Sequence, residues 1–230
     1  MYGLAGFYAG IGIGETWARG SWAGTDVVSL SGRDPLVDAF KDLLASHIAY
    51  NIYFGYLERG ASKWAAGWEA DYAYINVFAD PGIPGTGAIG SAAVRANDSV
   101  TFGAKWSAAL RARVGYLITP STLAYIAAGP SLLSAKATVN CTAAGVCGTN
   151  GITPFSQTNS TTKFGWTLGG GVEQQIWGNW RGRAEYRYAD YGKFSTNFGT
   201  PTQLALAADI KVHTHTIMVS ALYNFSGLNR

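Results

Sequence analysis

The sequence predicts an all-β fold: an eight-stranded antiparallel up-and-down transmembrane β-barrel with four long extracellular loops, the first carrying a short α-helix. Three observations carry this. In residues 164–191, FGWTLGGGVEQQIWGNWRGRAEYRYADY, the even positions hold Trp166, Leu168, Val172, Ile176, Ala184, Tyr186 and Tyr188, and the odd ones hold Glu173, Arg183, Glu185 and Arg187. A period of two sends these sets to opposite faces of a strand, one oily and one charged. Charged residues make up 13% of the chain, and there are 30 glycines. That is about half the usual charged fraction. A water-soluble β protein would turn the oily face inward, whereas a membrane barrel turns it to lipid and keeps charge in the lumen. The low charge favours the second arrangement. Finally, four long connections alternate with three short turns, the asymmetry expected of a barrel inserted in one direction.

Taken in order, the first strand covers about 6–17, with Phe7, Ala9, Ile11 and Ile13 opposed to Tyr8, Gly10, Gly12 and Gly14. Its glycines leave room in a narrow barrel. The GxGxG run here lacks the following helix that a phosphate-binding fingerprint needs, so no nucleotide site is expected. The next connection reads as helix in its second half, from 34 to 46. Asp34 caps it, Pro35 suits the first turn, and Leu36, Val37, Phe40, Leu43 and Leu44 form an apolar stripe. Such a helix packs over the barrel mouth, lies in the membrane interface, or contacts a neighbouring barrel or another surface protein.

The second and third strands, about 47–58 and 63–75, place Ile48, Tyr50, Ile52, Phe54, Tyr56, Trp64, Trp68, Tyr72 and Tyr74 outward, with Glu69 and Asp71 inward. After a Gly/Pro-rich loop, the fourth strand, about 100–118, sets Trp106, Leu110, Val114 and Tyr116 against Lys105, Arg111 and Arg113. The fifth, about 123–138, contains Pro130, which cannot donate to a ladder, so a bulge or break is expected there. The sixth and seventh, about 163–177 and 180–191, form the hairpin described above. The eighth, about 211–225, carries Ile217, Val219, Ala221, Tyr223 and Phe225 outward. Together they read as one barrel domain over 1–230.

Register gives the inward face its chemistry. A three-residue turn, Trp177-Gly178-Asn179, pairs Ile176 with Trp180 and puts Glu173 opposite Arg183. A similar turn at Thr119-Pro120-Ser121 puts Arg113 opposite Ala127 and Arg111 opposite Gly129. The predicted lumenal charge network is Glu69, Asp71, Lys105, Arg111, Arg113, Glu173, Arg183, Glu185 and Arg187. Signs are nearly balanced, and eight strands enclose a bore only wide enough for side chains, so a plug is expected in preference to an ion path.

Other classes have less support. The net charge of +3 includes no basic run suited to nucleic acid, and no apolar run is long enough for a spanning helix. Met1 leads almost directly into strand, so the leader that an exported barrel needs is expected to be missing from this form of the chain. Cys141 and Cys147 lie in a polar loop and suit a local disulfide; zinc would need further ligands. Among His47, His213 and His215, the last two share a strand face that could meet a metal or haem, but two imidazoles make an incomplete site. No nucleophile and base converge in a recognisable motif, so neither enzyme, cofactor nor metal is expected.

Four segments, FYAGIGIG, LRARVGYLITPSTLAYIAAG, GWTLGGGVEQQIWGNWRGRAEYRYADYG and ALYNF, resemble in this order the OmpA-like eight-stranded outer-membrane β-barrels. The likeness is strongest to the immunogenic porin-like branch of alphaproteobacteria. It covers nearly all the strands and almost none of the loops. It implies residence in the cell outer membrane, contact with its lipid and lipopolysaccharide, and a surface-antigen role. It also implies insertion by the outer-membrane assembly machinery, which reads a closing strand ending in an aromatic; Tyr223 and Phe225 match, with five residues following. By the same resemblance Glu69 or Glu173 with Arg183 forms a salt-bridge barrier in the lumen. The helix after the first strand departs from the family pattern.

Overall fold

The structure is a computed structural model that describes residues 5–29, 32–35, 40–60, 62–79, 99–141, 154–198 and 205–225. Every regular element among them is a strand: β1 (Gly6–Ser29), β2 (Gly32–Pro35), β3 (Phe40–Arg59), β4 (Trp64–Ala79), β5 (Ser99–Thr119), β6 (Thr122–Cys141), β7 (Phe155–Trp177), β8 (Trp180–Phe198) and β9 (Ala205–Asn224). Neighbours pair antiparallel in chain order, β1 closes the ring against β9, and β2 folds back on the outer end of β1. Eight strands therefore form the wall, with β2 as an appendage.

The pairings fix the geometry. From Phe7 the ladder leads through Tyr56, Trp68, Ala112, Ala128, Leu168, Tyr188 and His215 to Trp17, so one circuit climbs ten residues of β1. With roughly 3.3 Å per residue and 4.7 Å between strands, that stagger tilts the strands by about 40° and puts the backbone about 8 Å from the axis. No water-filled pore fits once such a wall carries large inward side chains.

Between the girdles the outward positions are apolar apart from Glu15. Ile11, Ile52, Leu110, Ile126, Val172 and Val219 are all exposed on the outer wall, while Glu69, Arg113 and Arg183 are buried inside. Two aromatic girdles bound this band. Near the short turns stand Phe7, Tyr56, Trp64, Tyr116, Trp180 and Tyr223, in edge contacts such as Trp64–Tyr116 at 5.1 Å. Near the long connections stand Trp17, Tyr74, Trp106, Trp166 and Tyr188, with Trp166 and Tyr188 5.5 Å apart. Phe7 and Trp17, ten residues apart on β1, set the girdles roughly 25 Å apart in height, the thickness of an outer-membrane hydrocarbon band. Such a surface is stable only against lipid.

Four expectations need correction, one of them only in part. Phe40 to Ser46 is not helical but extends β3, and Asp34 and Pro35 end β2. The backbone of β1 from Ala18 to Ala23 offers a ladder to exactly paired partners Phe40 to Ala45, which outweighs a short helix-like stripe. Leu36 and Val37 lie outside the described residues. Most strands also run well past the predicted ends on the long-loop side, so the wall stands clear of the membrane. Pro130 brings no bulge, since β6 keeps its register through it and Pro130 pairs with Trp166 of β7, but the local break expected there is found on the β5 side, whose ladder is interrupted at Gly129 and Pro130. Lastly, the β7–β8 turn is the two residues Gly178-Asn179, with Trp177 opposite Trp180 and Ile176 bulged. Gly178 takes φ of 51°, which glycine tolerates.

Candidate functional site

The inward positions of the mid-section converge on a belt of charge. Arg183 lies directly opposite Glu173 in the ladder, and Arg111 directly opposite Glu69. Across the bore Arg183 reaches both acids, donating through Nη2 to Glu69 Oε2 at 2.6 Å and through Nε to Glu173 Oε1 at 2.8 Å. Arg111 donates to Glu69 and, at 2.9 Å, to Glu185 Oε1, with Asp71 Oδ2 3.3 Å from its Nε. Arg113 donates to Glu173, and Arg187 bridges Asp71 at 2.7 Å and Glu185 at 2.9 Å. Each acid thus meets at least two guanidinium groups. An isolated ion here would be costly, and shared partners offset that desolvation.

Eight of the nine predicted network residues meet in this belt. Lys105 does not: it is exposed on the outside. A bulge between Ala104 and Ser107 inserts one residue into β5, so Phe102 and Ala104, not Lys105, face inward above it. Missed by the sequence were Arg181, whose Nη1 lies 3.3 Å from Glu173, and three lumenal tyrosines. Tyr8 donates to Glu69 at 2.7 Å, Tyr125 donates to Glu185, and the Arg113 and Arg183 guanidinium groups stack over the Tyr125 and Tyr53 rings at 3.8 and 4.8 Å. Gly55 makes space for Tyr8, since a Cβ there would meet the phenol. The signal for Arg181 was available, because it shares parity with Arg183.

Hydrocarbon closes the belt on both sides. Toward the short turns, Leu57, Leu117, Leu123 and Leu222 form an apolar floor with Ala65 and the Tyr8 ring. Above the belt, Thr16, Asn51, Ser131 and Thr214 line a polar layer around a cavity of about 20 Å³. That is room for a single water. Beyond it Phe102, Leu133, Ile210 and Val212 pack with alanines into a second apolar layer.

Comparison with known proteins agrees with this architecture. The family described as "Outer membrane protein beta-barrel domain" matches residues 3–225. The chain belongs to that outer membrane β-barrel family. It is 30% identical over 140 residues to a 31 kDa outer-membrane immunogenic protein of Brucella melitensis, covering 61% of this chain and 54% of that protein. It is 29% identical over 162 residues to a 25 kDa outer-membrane immunogenic protein of Brucella abortus, covering 70% and 63%. The chain thus spans little more than half the length of these relatives. Among solved structures, Neisserial surface protein A aligns over 96% of this chain and 98% of its own, at 15% identity and a TM-score of 0.41.

The remaining candidates lie on the wall of this outer-membrane barrel. His213 and His215 face outward in the upper girdle, 5.7 Å apart, and His215 Nδ1 is 2.7 Å from the Tyr186 hydroxyl. Among the described residues no group of three metal-ligating side chains forms. Exposed His47 stands apart on β3. Tyr223 and Phe225 end the closing strand with their rings 5.3 Å apart on the outside. Cys147 lies outside the described residues, and with it the expected pairing to Cys141.

Proposed function

We propose that this protein is a sealed, non-enzymatic wall element of the outer membrane that holds its long connections outside the cell as an interaction surface. The observation carrying this reading is the order of layers in the bore: leucine floor, charge belt, polar layer, apolar cap. An ion entering from either end meets hydrocarbon first and then arginines already held by acids, so neither solvation nor a free counter-charge helps it through. Catalysis has no counterpart in this arrangement, because every belt carboxylate is engaged by guanidinium groups and none faces an open cleft.

In this reading the short turns face the periplasm, and the tall wall carries the loops clear of the lipid. The Brucella relatives are named as immunogenic, which suits loops displayed at the surface. Tyr223 and Phe225 serve as the signal read by the assembly machinery. Liposomes containing the refolded protein should show no swelling with small sugars or amino acids beyond empty controls. Protease on intact cells should cut in the long connections while sparing the strands. Swelling at rates typical of a porin, or cleavage only after the membrane is breached, overturns the reading.

A further inference from the structure

On the outer wall formed by β9, β1, β3 and β4 lies a groove of about 730 Å³ lined by Ile11, Ile13, Ile52, Tyr72, Val219 and Ala221. It lies between the girdles, so it opens to hydrocarbon and not to water. Tyr50 and Tyr74 stand at its upper edge. Directly above it, on the same two strands, the chemistry changes. Exposed Arg19 is paired in the ladder with His213, and exposed Lys211 lies two residues farther along β9. Asp190 of β8 is paired with His213 on its other side, so one carboxylate also stands at this level.

We infer that this face is a binding site for one phosphate-bearing lipid of the outer leaflet, with an acyl chain in the groove and the phosphate held by Arg19 and Lys211.

Height supports the assignment. Arg19 is six residues above Ile13, roughly 20 Å along the strand and about 15 Å in height after tilt. Arg19 thus stands about 5 Å above the Trp17 girdle, at head-group height, and Ile13 about 10 Å below it, near the middle of a band roughly 25 Å thick. A lipid with its head at Arg19 therefore ends its chain in the groove. Glu15 faces outward between them, beside Ile48 and Ile217. Its carboxylate repels a phosphate at its own level and accepts from a hydroxyl or amide N–H. It thus fixes the phosphate at the height of the cations and favours a lipid with donors just beneath its head group. Lys193, the neighbouring cation on β8, is engaged with Asp209 at 2.6 Å, which leaves the binding to Arg19 and Lys211.

The site rests on the external orientation adopted above, but binding in micelles requires neither that orientation nor a sealed lumen, so the two can fail separately. Native mass spectrometry of the folded barrel in detergent, titrated with diphosphorylated lipid A, should show one bound lipid. The Arg19→Ala/Lys211→Ala pair should weaken binding at least tenfold, and so should Ala221→Trp or Ile13→Trp, which fill the groove. Lys105→Ala, a cation elsewhere on the outer wall, should leave it unchanged. Dephosphorylated lipid A should bind at least tenfold more weakly, and inorganic phosphate should not compete at millimolar concentration. All substitutions point outward, and heat-modifiable gel migration checks folding. Absence of a bound lipid, equal binding by the cation pair or by both groove variants, or equal loss in Lys105→Ala overturns the inference.

Discussion

Glu69 accepts from Arg111, Arg183 and Tyr8 at the centre of the bore, with no exposed surface of its own. Glu69→Ala takes a shared acid from Arg111 and Arg183, which keep Glu185 and Glu173, and leaves one more uncompensated positive charge in a site where water cannot replace the carboxylate. The expected loss is about 3–5 kcal/mol, the range for breaking a buried ion pair from one side. Urea unfolding of the refolded barrel, followed by tryptophan emission, measures it. Replacing both partners, Glu69→Leu with Arg183→Met, removes charge from both sides and should cost less than the two single changes together. Gly55→Ala pushes the Tyr8 phenol away from Glu69 and also meets the Trp68 carbonyl oxygen at 2.7 Å, so backbone must shift and the loss should exceed that of Tyr8→Phe, which removes only the hydroxyl's hydrogen bonds.

At the scale of the strand, the bulge in β5 decides which cation works. Because Lys105 lies within it and points outside, Lys105→Ala should change stability by less than about 0.5 kcal/mol, while Arg113→Ala should cost several times more. Equal losses would place Lys105 back in the bore. The contrast shows what the residues made legible. Period-two alternation specified the wall, because each outward side chain must meet lipid and each inward one must fit the bore. The pairing of Glu173 with Arg183 followed from parity, and it survives the shorter turn because the bulged Ile176 makes up the missing residue. Counting parity fails at a bulge, since one added residue inverts every position beyond it and no residue type announces the insertion. The 34–46 segment was misread for another reason. Its apolar spacing is too short to separate helix from strand, and the exposed ladder of β1 that captures residues 40–46 is a long-range partner. The inward leucines of the floor escaped notice because alternation was read for charge, and Leu57, Leu117, Leu123 and Leu222 sit where the two faces are both apolar.

Across the whole molecule, closure depends on two barriers of unlike chemistry in series, with the cap of Phe102, Leu133 and Ile210 as a third beyond the polar layer. The belt excludes ions because its charges are mutually satisfied, and the floor excludes them because Leu57, Leu117, Leu123 and Leu222 pack with almost no exposed surface. Barriers in series add, so weakening one leaves the others to set the conductance. Removing Glu69 and Arg183 together should therefore give a barrel as silent in a planar bilayer as the parent, even though its belt is open. Leu123→Ser with Leu222→Ala admits water below the belt, but should be silent too, because the five arginines and four acids above it remain paired. All four changes together join the periplasmic side only to the polar layer, and the intact cap of Phe102, Leu133 and Ile210 should keep that variant silent as well; resolved current steps are expected once Phe102→Ala and Leu133→Ala open the cap too. Steps in the charge variant alone would show that the leucine floor is permeable and that the belt by itself is the barrier. Steps in the floor variant alone would show the reverse.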